Sequence, residues 1–258
     1  PMAHVPLHPG AAFRGRSPRG LYSDVIEELD HEIGRLLDAI DEAGLRERTL
    51  VIVASDNGPW LSYGGHAGSS GPFREGKGTT FEGGVRVPFL ARWPGRIPAG
   101  SRSAAPLMTI DVLPTLAALC GAARPNAKID GRDASAVLLS PETAPSPHEA
   151  LFFWYRDNEL QALRSGRWKL HFPHVYRTLA GAKGRDDGRP IDYEMTRCGL
   201  ELYDLDRDPG ETRDLAARHP EVVKRLQGLA EGARRELGDS LTGRAGEEVR
   251  SPGRVDDR

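Results

Sequence analysis

Apolar positions along the first hundred residues switch between two periods. Leu21, Val25, Leu29, Ile33, Leu36, Leu37 and Ile40 recur at spacings of three and four with acids between them, which predicts an amphipathic helix over 21–43 stopped by Gly44. TLVIVAS follows as a continuously apolar run and reads as a buried strand. A helix feeding such a strand predicts α/β architecture with a sheet covered on both faces. VPFLARW (87–93) reads as a second strand, and TIDVLPTLAALCG as a short helix from about Asp111 to Gly121, with Pro114 in its first turn. Between the two strands, residues 58–84 hold nine glycines and almost no apolar periodicity. A loop of that length inside a compact domain is usually functional.

From 122 to 148 the chain turns to Pro, Ala, Asp and Ser, ending in SPETAPSPHE, and this is the best boundary. LFFWY, LQALRSGRWKLHF and ELYDL beyond it are short alternating or aromatic strands with a Ser-Gly turn, typical of a small antiparallel sheet. HPEVVKRLQGLAEGARREL supplies a closing helix with Val222, Leu226 and Leu229 on one side, and the tail after Gly238 is expected to fray. The predicted domains are therefore 1–148, part of an α/β layered domain, and 149–258, a small α+β subdomain.

Charge narrows the partners. Lys and Arg number 35 against 37 Asp and Glu, a net charge of -2, so no basic surplus argues for nucleic acid or an anionic membrane. Any anion must be bound locally. No apolar run reaches the roughly 20 residues of a membrane span, and nothing reads as a signal peptide. The chain opens PMAHVP, without an initiator Met, and its true N-terminus is expected to lie upstream. Only Cys120 and Cys198 are present, so no disulfide framework holds the fold and the compartment stays open. Lysine is confined to positions 77, 128, 169, 183 and 224, which makes each one more informative than usual.

Candidate chemistry begins where the first strand ends. Asp56 and Asn57 in VIVASDNGPW are either a turn with an Asx cap or carboxylate and amide oxygens for a hard divalent cation such as Ca2+. Lys77, in GPFREGKGTTFEGGVRVP, lies in the long loop between Gly76 and Gly78; two glycines there carry an entropy cost that surface decoration does not explain. Gly71 to Lys77 also spells G-x-x-x-x-G-K, but Gly78 stands where a phosphate-binding loop needs Ser or Thr, and TTFEGG cannot start its helix. DLDRDPGE, from Asp204, imitates a calcium loop, yet Pro209 and Leu215 occupy positions that need Gly and Glu; it reads as a solvated turn. His171 and His174 in HFPH, with Cys198 distant in sequence, read as ordinary core or surface residues in preference to zinc ligands. Pro6 between His4 and His8 rules out a regular helical face, and nothing in the local pattern singles out His4.

SDNGPW, then GPFREGKGTTFEGGVRVPFLARWPGRIPAG, then the Asp-x-Leu-Pro-Thr-Leu helix and ELYDLDRDPGET together resemble the C-terminal half of the arylsulfatase A-like sulfatases, within the alkaline phosphatase-like superfamily. The resemblance covers nearly the whole chain in the family's order. It implies an α/β/α sandwich continued by a small antiparallel sheet and helix, and hydrolysis of a sulfate monoester. Asp56 and Asn57 match the family's calcium ligands, Lys77 the lysine that contacts sulfate and bridging oxygen, and His4 the histidine near the leaving group. Asp-Asn, where two-metal relatives show Asp-His, favours the one-metal branch. The resemblance also implies a formylglycine nucleophile from a Cys/Ser-x-Pro-Ser-Arg signature, which does not occur in these 258 residues. It is expected in a missing N-terminal half, a possible partner. Cys120, in CGAAR, reads as a buried thiol instead. The implied substrate is a sulfated small molecule or glycan, and the implied location periplasmic or secreted. A phosphate or phosphonate monoesterase and a non-catalytic fragment that binds sulfated ligands are the alternatives.

Overall fold

The computed structural model describes residues 3–251. In chain order the elements are α1 (Leu21–Glu42), β1 (Val51–Ala54), α2 (Glu82–Val85), β2 (Phe89–Arg92), α3 (Val112–Cys120), α4 (Ser135–Leu139), β3 (Leu151–Tyr155), β4 (Glu159–Ser165), β5 (Trp168–His171), β6 (His174–Thr178), β7 (Glu194–Cys198), β8 (Glu201–Asp204) and α5 (Pro220–Leu237). They pack as two interleaved units. Residues up to 69, 86–149 and 183–191 form the first; residues 70–85, 150–182 and those from 192 onward form the second. The chain crosses between the units at 149/150, and 70–85 and 183–191 change sides.

In the first unit α1 ends where predicted, with Gly44 at φ +68, a left-handed conformation that costs glycine little. Buried Asp24 on α1 accepts from the Gly15 and Ser17 amides at 2.8 and 2.7 Å, tying the Pro-rich leader to the helix. β1 and β2 pair antiparallel, Val51 opposite Arg92 and Ala54 opposite Phe89. They form a two-stranded sheet, not one covered on both faces: Leu90 is 62% and Phe89 43% exposed. Segment 183–191 joins this unit because the Gly65 amide donates to Asp186 Oδ1 at 2.6 Å and the Ile191 amide to the Ser62 carbonyl at 3.1 Å. Cys120 is exposed at the last position of α3, which corrects the expected buried thiol. The helix turns that position away from its buried face of Pro114, Thr115 and Ala117. The Pro/Ser-rich boundary itself contains α4, whose Val137 and Leu138 are buried.

The second unit is layered. β3, β4, β5 and β8 form a four-stranded antiparallel sheet in that order, with Ala162 opposite His171 and Trp168 opposite Asp204. α5 covers one face, packing Val223, Leu226 and Ala230 on Leu160, Leu163, Leu170 and Leu202. Strand side chains alternate between faces, so Lys169 and His171 of β5 point to the other face from Leu170, and both are wholly buried there. Segment 70–85 covers them. Phe81 stacks on the His171 ring at 4.4 Å, and Glu82 Oε1 lies 2.9 Å from Lys169 Nζ.

Glu211 completes this buried network. Its carboxylate lies 3.2 Å from Lys169 Nζ and 2.7 Å from His171 Nε2, and it accepts from the Glu82 amide at 2.6 Å. Burial by itself would raise the Glu211 carboxyl; the Lys169 ammonium and the His171 hydrogen bond overcome it and bring the pKa down to about 2. DLDRDPGE is therefore not simply a solvated turn, because it delivers Glu211 to the interior. The chain beyond Gly238 does not fray at its start either. Asp239 is fully buried, accepts from the Leu160 amide at 3.1 Å and pairs with Arg234 at 2.8 Å. Among the described residues no helix is long and apolar enough to cross a membrane.

Removing one partner of a buried ion pair strands the others, at about 3–5 kcal/mol. Glu211→Ala is expected to lower the unfolding free energy from urea denaturation by that amount, and the midpoint with it. Arg35→Ala, which breaks an exposed pair with Glu32, is expected to cost under about 1 kcal/mol. Equal midpoints for the two variants would remove the network from its anchoring role.

Candidate functional site

β1 brings Asp56 and Asn57 to its carboxyl end. The last rung of the sheet is the Ser55 amide donating to the Pro88 carbonyl at 3.2 Å, and the chain then turns. Ser55 Oγ donates to the Asn57 carbonyl at 3.0 Å and Asn57 Nδ2 to the Gly58 carbonyl at 2.9 Å. This commits the nitrogen of the Asn57 amide to the backbone and leaves Oδ1 as the atom open to a ligand. Asp56 is exposed, and among the described residues its carboxylate takes no hydrogen bond or ion pair. An Asx cap would show a side-chain oxygen accepting a backbone N–H; neither residue does so. Carboxylate plus amide oxygen is the donor chemistry of a hard divalent cation, which needs six to eight oxygens in all. The pair fits such an ion as part of its shell.

His4 belongs to the same unit. It is exposed, with Nδ1 2.8 Å from the Val5 carbonyl. A carbonyl only accepts, so Nδ1 carries the proton and Nε2 is the nitrogen left to exchange one with a ligand.

Lys77 is carried by the second unit, half-buried, in a loop whose backbone is fastened at several points. Arg177 of β6 donates from Nε to the Lys77 carbonyl at 3.0 Å and from a second guanidinium nitrogen to the same oxygen, while its guanidinium lies 4.5 Å from the Tyr193 ring centroid. Thr79 Oγ1 donates to the Gly76 carbonyl at 2.9 Å. Glu75 accepts from Thr178 Oγ1 at 2.8 Å, and burial raises its carboxyl above the ordinary value. Two glycines are demanded by this packing. Gly78 sits at φ +86 with the Arg177 guanidinium where a Cβ would go, and a Cβ on Gly83 would run into the Arg74 and Glu75 carbonyls. Contrary to the expectation for TTFEGG, a single helical turn, α2, begins at Glu82, but residues 78–81 between it and Lys77 are turn and bend, so the helix that a phosphate-binding loop requires does not follow the lysine directly.

Local reading of the sequence missed Arg177, Arg74 and Glu82. Arg74 lies 4.0 Å over the Phe81 ring and donates to the Tyr176 and Tyr203 hydroxyls at 2.8 and 3.0 Å. Nothing in HVYRT or PFREG marks these arginines; only strand register brings them to the loop. Cys198, distant from HFPH in sequence, is also misjudged by separation alone. β6 pairs with β7 so that His174 stands opposite Cys198, with Cys198 Sγ 3.2 Å from His174 Nδ1.

The family model described as Sulfatase matches residues 5–122, and that described as the C-terminal region of aryl-sulfatase matches residues 146–249. Human arylsulfatase A is 42% identical over 238 residues, covering 88% of this chain and 46% of the relative. Mouse steryl-sulfatase is 40% identical, with 87% and 39% covered. The solved structure of a Pseudoalteromonas sulfatase superposes with a TM-score of 0.78 at 29% identity, covering 90% of this chain and 46% of that one. The chain spans a little under half the length of these relatives. With both matched regions in the family's order and the α/β elements preserved, the chain belongs to the sulfatase family.

Proposed function

We propose that this chain serves a sulfuric ester hydrolase of the arylsulfatase type, acting on a sulfated small molecule or glycan. Asp56 and Asn57 contribute oxygens to one Ca2+, Lys77 contacts the sulfate and its bridging oxygen, and His4 protonates the leaving group. The observation that carries the reading is the Asp56 carboxylate, presented unpartnered beside Asn57 at a strand end, within residues that match the sulfatase family. The fastened Lys77 backbone supports it.

Breaking the S–O bond of a sulfate monoester moves negative charge onto the leaving oxygen. An ammonium held in place opposes that charge without reorganising as it develops, and the Arg177 and Thr79 contacts fix the loop backbone from which the Lys77 side chain extends. His4, with Nδ1 bonded to the Val5 carbonyl, would act as the imidazolium and pass its Nε2 proton to the departing oxygen. A bound calcium ion would neutralise sulfate oxygens. The nucleophile, formylglycine in the family, is not among these residues because the Cys/Ser-x-Pro-Ser-Arg signature is absent from them.

In the protein joined to a sulfatase segment bearing that signature, Lys77→Ala is expected to reduce aryl sulfate turnover about 10²- to 10³-fold with the melting temperature nearly unchanged. Equal loss of fold and activity would make Lys77 structural. In the same protein, aryl sulfate is expected to be turned over faster than aryl phosphate; the reverse order would favour the phosphatase reading, and ligand binding without turnover the non-catalytic one. The 258 residues alone are expected to hydrolyse neither. Asp56→Ala is expected to abolish calcium binding measured by calorimetry, and unchanged binding would remove it from the ligand set.

A further inference from the structure

The second unit holds a cluster that sulfate chemistry does not use. His171 on β5, His174 on β6 and Cys198 on β7 are all buried, and one ligating atom from each lies within 4.8 Å of the others. Each histidine has one nitrogen already committed. Glu211 already accepts from the Glu82 amide and faces the Lys169 ammonium at 3.2 Å, so it serves as acceptor, and His171 Nε2 donates to its Oε1 at 2.7 Å. The Phe172 carbonyl likewise accepts from His174 Nδ1 at 2.7 Å. This leaves a lone pair on His171 Nδ1, which is buried and without any hydrogen-bond partner, and another on His174 Nε2, 3.7 Å from Cys198 Sγ. A buried unpartnered nitrogen costs about 1–3 kcal/mol and calls for an explanation. Metal-bound histidines characteristically donate their other N–H to a carboxylate or a backbone carbonyl, the two acceptors found here. Cys198 Sγ stands nearer His174 Nδ1, at 3.2 Å, than Nε2, at 3.7 Å, so an ion on the Nε2 lone pair draws the thiolate round the edge of the imidazole as it binds.

We infer that His171 Nδ1, His174 Nε2 and Cys198 Sγ form a site for a single thiophilic cation, Zn2+ or Cu+, that fastens the β6–β7 ribbon to the four-stranded sheet. Two imidazoles and a thiolate suit these ions, and they disfavour Ca2+, which takes oxygen ligands. On binding, the Cys198 S–H proton is released to solvent and the thiolate pair forms the metal–sulfur bond. Because the site is enclosed, it loads as the chain folds.

The test is to unfold the whole chain with reductant and chelator, then refold it with one equivalent of Co2+ as the spectroscopic probe. The wild-type chain and Cys120→Ser are expected to show a thiolate-to-cobalt charge-transfer band that Cys198→Ser and His174→Gln lack. Zn2+ or Cu+, and not Ca2+, should displace the cobalt, the stronger competitor identifying the ion, and the Zn2+-refolded chain should melt above the metal-free one. Circular dichroism of the metal-free variants shows which remain folded; if Cys198→Ser does not, His174→Gln decides. No band in the wild-type chain, a band surviving in a folded Cys198→Ser or His174→Gln variant, or a band lost in Cys120→Ser would overturn the assignment.

Discussion

The second unit depends on an ammonium that has no contact with water. Lys169, fully buried on β5, is held by Glu82 from the glycine-rich segment and by Glu211 from the DPGE turn. A lone charge in that position would cost several kcal/mol in lost hydration, so neither acid is replaceable by an apolar residue while the lysine stays. The network joins chain segments 87 and 42 positions from Lys169. Segment 70–85 packs with the later residues for this reason: its acid is the counter-charge of their strand. Phe81 beside Glu82 then covers the same sheet face by stacking on His171, so apolar burial and charge pairing act together.

Lys77 gains its definition from that anchorage. Its loop has little regular structure of its own, and between Gly76 and Gly78 an isolated peptide would sample many conformations. In the folded unit α2 begins with the Gly83 amide bonded to the Arg74 carbonyl at 2.8 Å, and β6 supplies Arg177 and Thr178 to the stretch between. The glycines serve the close approach of backbone and guanidinium, not flexibility. The strand-end acid is prepared in the opposite manner. Among the described residues Asp56 has no partner to lose, so a cation would meet its carboxylate without first displacing a hydrogen bond.

The same contrast runs through the β6–β7 ribbon. β7 exposes Glu194, Met195, Thr196 and Arg197 and buries only Cys198, so its sequence carries almost no strand signal, and β6 contributes few apolar residues. What makes the pair cohere lies inward, where Phe81, Tyr176 and Cys198 pack together beside the two histidines.

Periodicity by itself determined α1, α3 and α5, the strands from β1 to β5 and β8, and the place of Asp56 and Asn57 at a strand end, because those features depend on neighbours three, four or two residues away. The glycine spacing also marked Lys77 as unusual. The sequence pattern did not decide which charges are buried. Glu82, Lys169 and Glu211 look like solvated residues in any local window, and Cys120 reads as a buried thiol, although the fold exposes it and buries Cys198. The tertiary structure alone settled these cases: the cost of burying a charge or a thiol is set by partners tens of residues away, and only strand register and layer packing bring those partners within hydrogen-bonding distance.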